Sequence, residues 1–196
     1  MNKHIFKLLF VSLFSTFFLS SCLKDDLESP NVPQAGFTMI NVHSASSYII
    51  HRADNNFIQT MNNPLLYKGI NFVYLYPGNR KLQTIDADNK IVIDTTYTVK
   101  DSLLFTSFVY TKPANKVGQR MVEDALLGNL DSKSAYRFIN LAHDKVTVNM
   151  YLGDAVERED HAYDGDAVVA NHYKFQPTDT GTKRITIKNQ AGQTLA

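Results

Sequence analysis

One cysteine and six histidines are the side chains of this protein best suited to nucleophilic, acid–base or metal chemistry. The histidines are His4, His43, His51, His143, His161 and His172. No two have the spacing that sets a pair on one helix face for zinc, and no second cysteine joins them. His43 and Ser44 are adjacent, but a nucleophilic serine needs a base aimed by a third group, and there is no Gly-x-Ser-x-Gly elbow. The run from Asp154 to Asp166 is acidic, with Glu157, Glu159, Asp160 and Asp164 between them. Oxygen ligands this close can hold calcium, but their spacing does not match an EF-hand loop, so a solvated loop is expected. These residues are read as turn and strand-end residues, with no catalytic residue, no cofactor-binding residue and no metal ligand among them. Cys22 is different: a lone thiol cannot form an internal disulfide, and its place at the end of an apolar run is not structural.

The elements around Cys22 explain its position. Lys3, His4 and Lys7 make a basic start, Leu8 to Leu19 is apolar, and Ser20 and Ser21 are small residues at a cut site. This is the layout of a signal peptide over residues 1–21. The apolar stretch is too short to cross a bilayer, which takes ~20 residues as a helix. Leu19-Ser20-Ser21-Cys22 resembles the lipobox of bacterial lipoproteins, which implies cleavage before Cys22 and acylation of its thiol and new amino group. Several acyl chains on one residue anchor firmly, at ~0.8 kcal/mol per buried methylene. Lys24, Asp25 and Asp26 follow. They resemble the lysine-plus-acids signal that sends some Bacteroidota lipoproteins to the outer face of the outer membrane. Residues 22–34, with Pro30 and Pro33, read as an extended tether. The resemblance implies a partner, the membrane, reached through the N-terminal lipid.

Composition excludes other classes. The chain carries 20 Lys+Arg and 19 Asp+Glu, and removing Lys3 and Lys7 with the signal leaves 18 against 19, a formal −1. Nucleic acid is not an expected partner, because binding it needs a basic face. A polybasic patch for lipid headgroups is also missing. Trp is absent, while Phe (12) and Tyr (10) are plentiful, so any stacking surface for sugars must come from tyrosine and phenylalanine.

Periodicity is strand-like almost throughout. Lys90–Val99, Val146–Leu152 and Ile185–Lys188 alternate apolar and polar residues, as half-buried strands do. Phe72–Tyr76 and Leu103–Phe105 are continuously apolar, which predicts strands covered on both faces. Gly118 to Asn129 has a weak helical stripe of Val122, Ala125, Leu126 and Leu127. The chain also repeats itself. Phe37–Val42 aligns with Tyr136–Leu141, each reading aromatic, polar, apolar, Ile, Asn, aliphatic. Gly78–Leu82 aligns with Gly181–Ile185, so the offsets are 99 and 103 residues. The predicted fold is all-β: two tandem antiparallel β-sandwich modules, over 35–116 and 134–196, joined by a linker with a short helix over 117–133. The second module lacks about two strands relative to the first and is read as truncated, with an open sheet edge.

Ala135–Asp144, followed by Val146–Leu152, resembles the opening of the domain of unknown function 4397. The Pro77-Gly78 turn and Thr95–Val99 are similar to that family's middle hairpin and late strand. This resemblance implies immunoglobulin-like sandwiches in exported bacterial proteins, and it supplies no catalytic residues. The reading that follows is a non-enzymatic, lipid-anchored envelope protein, in the outer membrane and facing outward, whose modules bind an unknown protein or glycan. Glycan capture is one specific form, with Tyr48, Tyr67 and Tyr110 as stacking candidates. A pilus-like or adhesin subunit using strand complementation is another.

Overall fold

The period-two segments form strands, and no α-helix occurs among the described residues, which are 32–165 and 171–196 of a computed structural model. Residues 1–21 with the signal segment, and Cys22, Lys24, Asp25 and Asp26, lie outside them. Pro33–Ala196 makes one compact unit.

The first module is a two-sheet sandwich. Its strands are β1 (Ala35–Val42), β2 (Tyr48–Ala53), β3 (Asn56–Phe57), β4 (Leu65–Leu66), β5 (Ile70–Leu75), β6 (Gly78–Asp86), β7 (Ile91–Val99), β8 (Leu104–Lys112) and β9 (Lys116–Glu123). One sheet has the order β5-β1-β8-β9, and the other has β3-β2-β6-β7 with β4 also paired to β2. Pairing is antiparallel except for β1 with β8, where Phe37 stands beside Phe105 and Val42 beside Tyr110. Alternation sends Phe37, Met39, Phe105 and Val109 from one sheet, and Ile49, Leu82 and Val99 from the other, into one core. Tyr97 meets Phe105 edge to face across it, with centroids 5.2 Å apart.

Two elements differ from the sequence reading. The segment predicted as a helix from Gly118 is a strand followed by a loop: β9 pairs with β8 along its whole length, so the sandwich runs to Glu123, and Ala125, Leu126 and Leu127 follow it in no regular element. Val117 and Met121 pack on the inner core while Val122 packs on the outer side, a period-two split. Sheet hydrogen bonds outweigh a weak helical stripe. Gly118 has a steric role there, since a Cβ at this position would lie 2.6 Å from the Tyr110 ring. The second difference is β5. It is an edge strand, not one covered on both faces: Ile70, Phe72, Tyr74 and Tyr76 are 67%, 48%, 62% and 65% exposed. Apolar continuity marks a strand covered on both faces only where a second layer packs on each face, and here β8 is such a strand, with Phe105 and Val109 in the sandwich core and Phe108 packed on the opposite side.

The second module comprises β10 (Lys133–Tyr136), β11 (Val148–Leu152), β12 (Ala155–His161), β13 (Gln176–Asp179) and β14 (Ile185–Asn189). Its pairings copy part of the first. β10–β13 repeats β1–β5, β11–β12 repeats β2–β3, and β11–β14 repeats β2–β6, all antiparallel. The repeat extends to backbone detail. Asn41 and Asn140 are both buried, and each side-chain oxygen accepts the N–H two residues on, from His43 at 3.0 Å and Ala142 at 3.2 Å. Gly78 and Gly181 sit at φ +113° and +115°. Among the described residues of 134–196, no counterparts of β7, β8 and β9 occur. Beside β14, where β7 would lie, Gln193–Ala196 folds back, with Leu195 N–H donating to Ile187 O at 2.8 Å.

Candidate functional site

The second module packs on the outer face of the β5-β1-β8-β9 sheet. Ile40, Phe108 and Val122 point away from the sandwich core and meet Ile139, Leu141 and Tyr173. This is why β8 is buried on both faces. At the centre of the seam Arg137 donates to Asp124 at 2.6 Å and to Thr106 at 3.2 Å, and Thr106 also donates to Asp124. The Arg137 guanidinium lies over Phe175 at 4.5 Å and Phe108 at 5.4 Å. Both charges are desolvated, at 8% and 9% exposure, so the pair depends on its aromatic walls and shared hydroxyl.

The strongest concentration of chemistry lies beside this bolt, around Asp164. The Asp164 side chain is 1% exposed. His161 Nε2–H donates to Oδ2 at 2.7 Å and His172 Nδ1–H donates to Oδ1 at 2.6 Å. The Asn140 N–H also donates to Oδ2, at 2.8 Å. Asp164 N–H returns to Asn140 O, and Tyr173 Oη–H donates to Asp164 O, each at 2.8 Å. The two imidazoles stack with centroids 4.2 Å apart, and the Phe138 ring meets His161 edge-on. Burial pushes the Asp164 carboxyl up, but the two imidazole hydrogen bonds and the Asn140 amide outweigh it and hold the group below the usual carboxylate range. It is therefore ionised at neutral pH. Gly165 continues the turn and accepts from Tyr110 Oη at 2.9 Å and Arg120 at 3.1 Å, tying it to the first module. His161, Asp164 and His172 offer three metal-ligating atoms within 4.8 Å of one another.

Spacing along the chain conceals this cluster, because no helix presents it. His161 ends β12, Asp164 lies in the turn that follows, and His172 belongs to the segment leading to β13. The only signal in the sequence is the acidic run itself, whose carboxylates turn out to have separate partners. Tyr136 Oη–H donates to Glu157, Gln190 donates to Asp160, and Asp164 takes the imidazoles. His43 is buried and bonds Thr111 through Nδ1 at 2.8 Å, while Ser44 shares the same hydroxyl at 3.1 Å, so the adjacent pair closes a turn. Of the stacking candidates, Tyr67 is 42% exposed, but Tyr110 is 1% exposed and lies inside the seam, where it cannot stack on a sugar.

The seam and β5 each leave an open surface. A groove of about 660 Å³ runs along the seam between Ile40, Phe108 and Thr111 on one side and Tyr136, Ile139, Leu141 and Phe175 on the other. On β5, Phe72 and Tyr74 form an edge-to-face pair at 5.0 Å within the exposed strip. Phe72 is seated across Gly36, where a Cβ would come within 3.0 Å of its ring.

No protein-family model and no curated protein matches the chain. The likeness to domain of unknown function 4397 therefore has no family match behind it. Among solved structures, a DUF3823 family protein from Bacteroides ovatus is similar at 18% identity, covering 83% of this chain and 94% of that one with a TM-score of 0.24. Superposition that poor carries no argument, and the all-β sandwich architecture rests on this chain's own strands and core.

Proposed function

We propose that this protein is a non-enzymatic, lipid-anchored component of the outer membrane that faces outward and binds a partner through the exposed strip on β5. The observation that carries the reading is that strip: Ile70, Phe72 and Tyr74 on one side of an edge strand, with Tyr76 just past its end, are each about half exposed or more. Contiguous apolar surface of this kind marks interaction sites. A free strand edge adds backbone donors and acceptors beside it, suited to an extended segment of a partner. Lipid attachment at Cys22 and export directed by Lys24, Asp25 and Asp26 follow from their resemblances and complete the reading.

Glycan binding is the second reading, favoured by one observation. Tyr74, Tyr76 and Phe57 flank a groove of about 380 Å³ whose other walls include Asp54, Asn56 and Arg80, so aromatic faces and polar groups share a cleft. Arg80 is held there by Asp54 at 3.0 Å and by Tyr76 O at 2.9 Å.

The test is protease shaving of intact cells expressing the wild type or Cys22→Ala, followed by cross-linking with Phe72→Ser/Tyr74→Ser. The reading expects protease-sensitive, lipid-labelled wild type, loss of labelling in Cys22→Ala, and loss of the cross-linked partner in the strip variant with an unchanged melting temperature. Protection from protease, or a partner retained by the strip variant, overturns it. Glycan-array binding abolished in Tyr74→Ser selects the second reading.

A further inference from the structure

We propose that His161, Asp164 and His172 form a binding site for a divalent transition-metal ion of the zinc class, at the turn that fastens the second module to the first. The ligand set, two imidazole nitrogens and one carboxylate, suits zinc and its neighbours, whereas calcium calls for six or more oxygens. The three side chains already bring ligand atoms within 4.8 Å of one another, with His161 Nε2 and His172 Nδ1 aimed at the two oxygens of a single carboxylate. In that arrangement protons occupy the space between ligand atoms.

Electrostatics favours replacing those protons with a metal. The Asp164 carboxyl is buried, and the side chains that meet its two oxygens are the two imidazoles. The nearby guanidiniums are turned elsewhere, Arg120 to Gly165 O and Arg137 to Asp124. With ring centroids 4.2 Å apart, the two imidazoles present their nitrogens to the same small space beside the carboxylate. A dication bound there sets positive charge directly against the buried carboxylate.

The supporting contacts also suit a metal. Asn140 N–H holds Oδ2, and Tyr173 Oη–H with the Asn140 carbonyl fixes the Asp164 backbone, the kind of outer layer that orients ligands. Ligand atoms at about 2.1 Å from one ion in tetrahedral geometry lie roughly 3.4 Å apart, so the 2.6–2.7 Å contacts must open slightly. His172, at 26% side-chain exposure, is the member with room to move and the side from which an ion and its water enter.

The experiment uses the full chain in detergent, without a histidine tag, stripped by chelator and titrated with zinc ion, with calcium as the control. One equivalent of zinc is expected to bind and raise the melting temperature, and calcium to do neither. His172→Asn separates a metal ligand from a hydrogen-bond partner, because the Asn amide nitrogen can take the place of Nδ1–H toward Asp164 but does not ligate zinc. Its stability in chelator is expected to match wild type, with zinc affinity lowered by at least about tenfold. Nitrogen-15 imidazole spectra of the wild type give a second readout that no variant's folding can confound: zinc must shift the Nε2 signal of His161 and the Nδ1 signal of His172. Zinc binding that survives His172→Asn, absence of binding, or those two signals unmoved overturns the proposal.

Discussion

Single residues in this protein are set by whether their polar atoms find partners after burial. His51 is the sharpest case. It is 2% exposed in β2, its N–H and Nδ1 both face Gln59 Oε1, and Nε2 has no hydrogen-bond partner among the described residues. Burial therefore pulls its pKa from 6.5 down to about 4, against a small opposing effect of the Gln59 hydrogen bond. A histidine whose folded pKa is depressed is neutral in the native state while the unfolded chain takes up a proton. Its contribution is full above pH 6.5 and is lost as pH falls from 6.5 towards 4, by about 3 kcal/mol in all. His43, also lowered by burial, acts with the same sign. Urea titrations from pH 7 to pH 4 should show this loss, and His51→Leu should flatten the curve and be the more stable protein at pH 4.5. An unchanged slope in His51→Leu would locate the acid sensitivity elsewhere. Asn41 and Asn140 show the opposite outcome, with both ends of each amide satisfied by backbone.

At the scale of elements, the two modules share turn chemistry more than they share side chains. Gly78 and Gly181 open corresponding strand regions at φ near +115°, a conformation that costs an L-residue about 1–3 kcal/mol. Nothing stands within 4 Å of a Cβ built on Gly181 or Gly153, so neither meets a clash on substitution. Gly153 is at φ +67°, inside the ordinary left-handed basin. Gly181→Ala should therefore destabilise the protein more than Gly153→Ala, measured as a difference in denaturation midpoint. Equal midpoints would mean that the second module's turn is not under the constraint its counterpart shares. β5 shows the other side of element-scale reasoning. Its sequence is that of an interior strand, yet it lies at an edge, and its surplus apolar surface is what remains for a partner.

For the whole molecule the decisive feature is the seam. Arg137 from the second module reaches Asp124 and Thr106 of the first, and removing the guanidinium leaves a carboxylate at 9% exposure without its cation. Arg137→Leu should cost about 3–5 kcal/mol. Because the loss falls on the interface, calorimetry is expected to show one transition for the wild type and two for Arg137→Leu, the second module melting first. Arg137→Leu/Asp124→Leu should recover part of that cost by removing the orphaned charge. If the single variant still melts in one transition, the modules are coupled by the apolar contacts of Phe108, Val122 and Tyr173 instead.

Strand identity, turn glycines and the internal repeat were legible from local pattern, because alternation, positive-φ turns and an Asx turn are each written in a few consecutive residues. The aromatic–apolar–Ile–Asn repeat located two structurally equivalent asparagines, and the glycine pair located two equivalent turns. What local pattern leaves open is which face of a strand meets another sheet. Only packing decided that β9 is a strand, that Tyr110 is buried beneath the second module, and that β5 is left at an edge. His161, Asp164 and His172 converge for the same reason: their separation along the chain follows no helical or strand period, and the seam alone draws two imidazoles to one buried carboxylate.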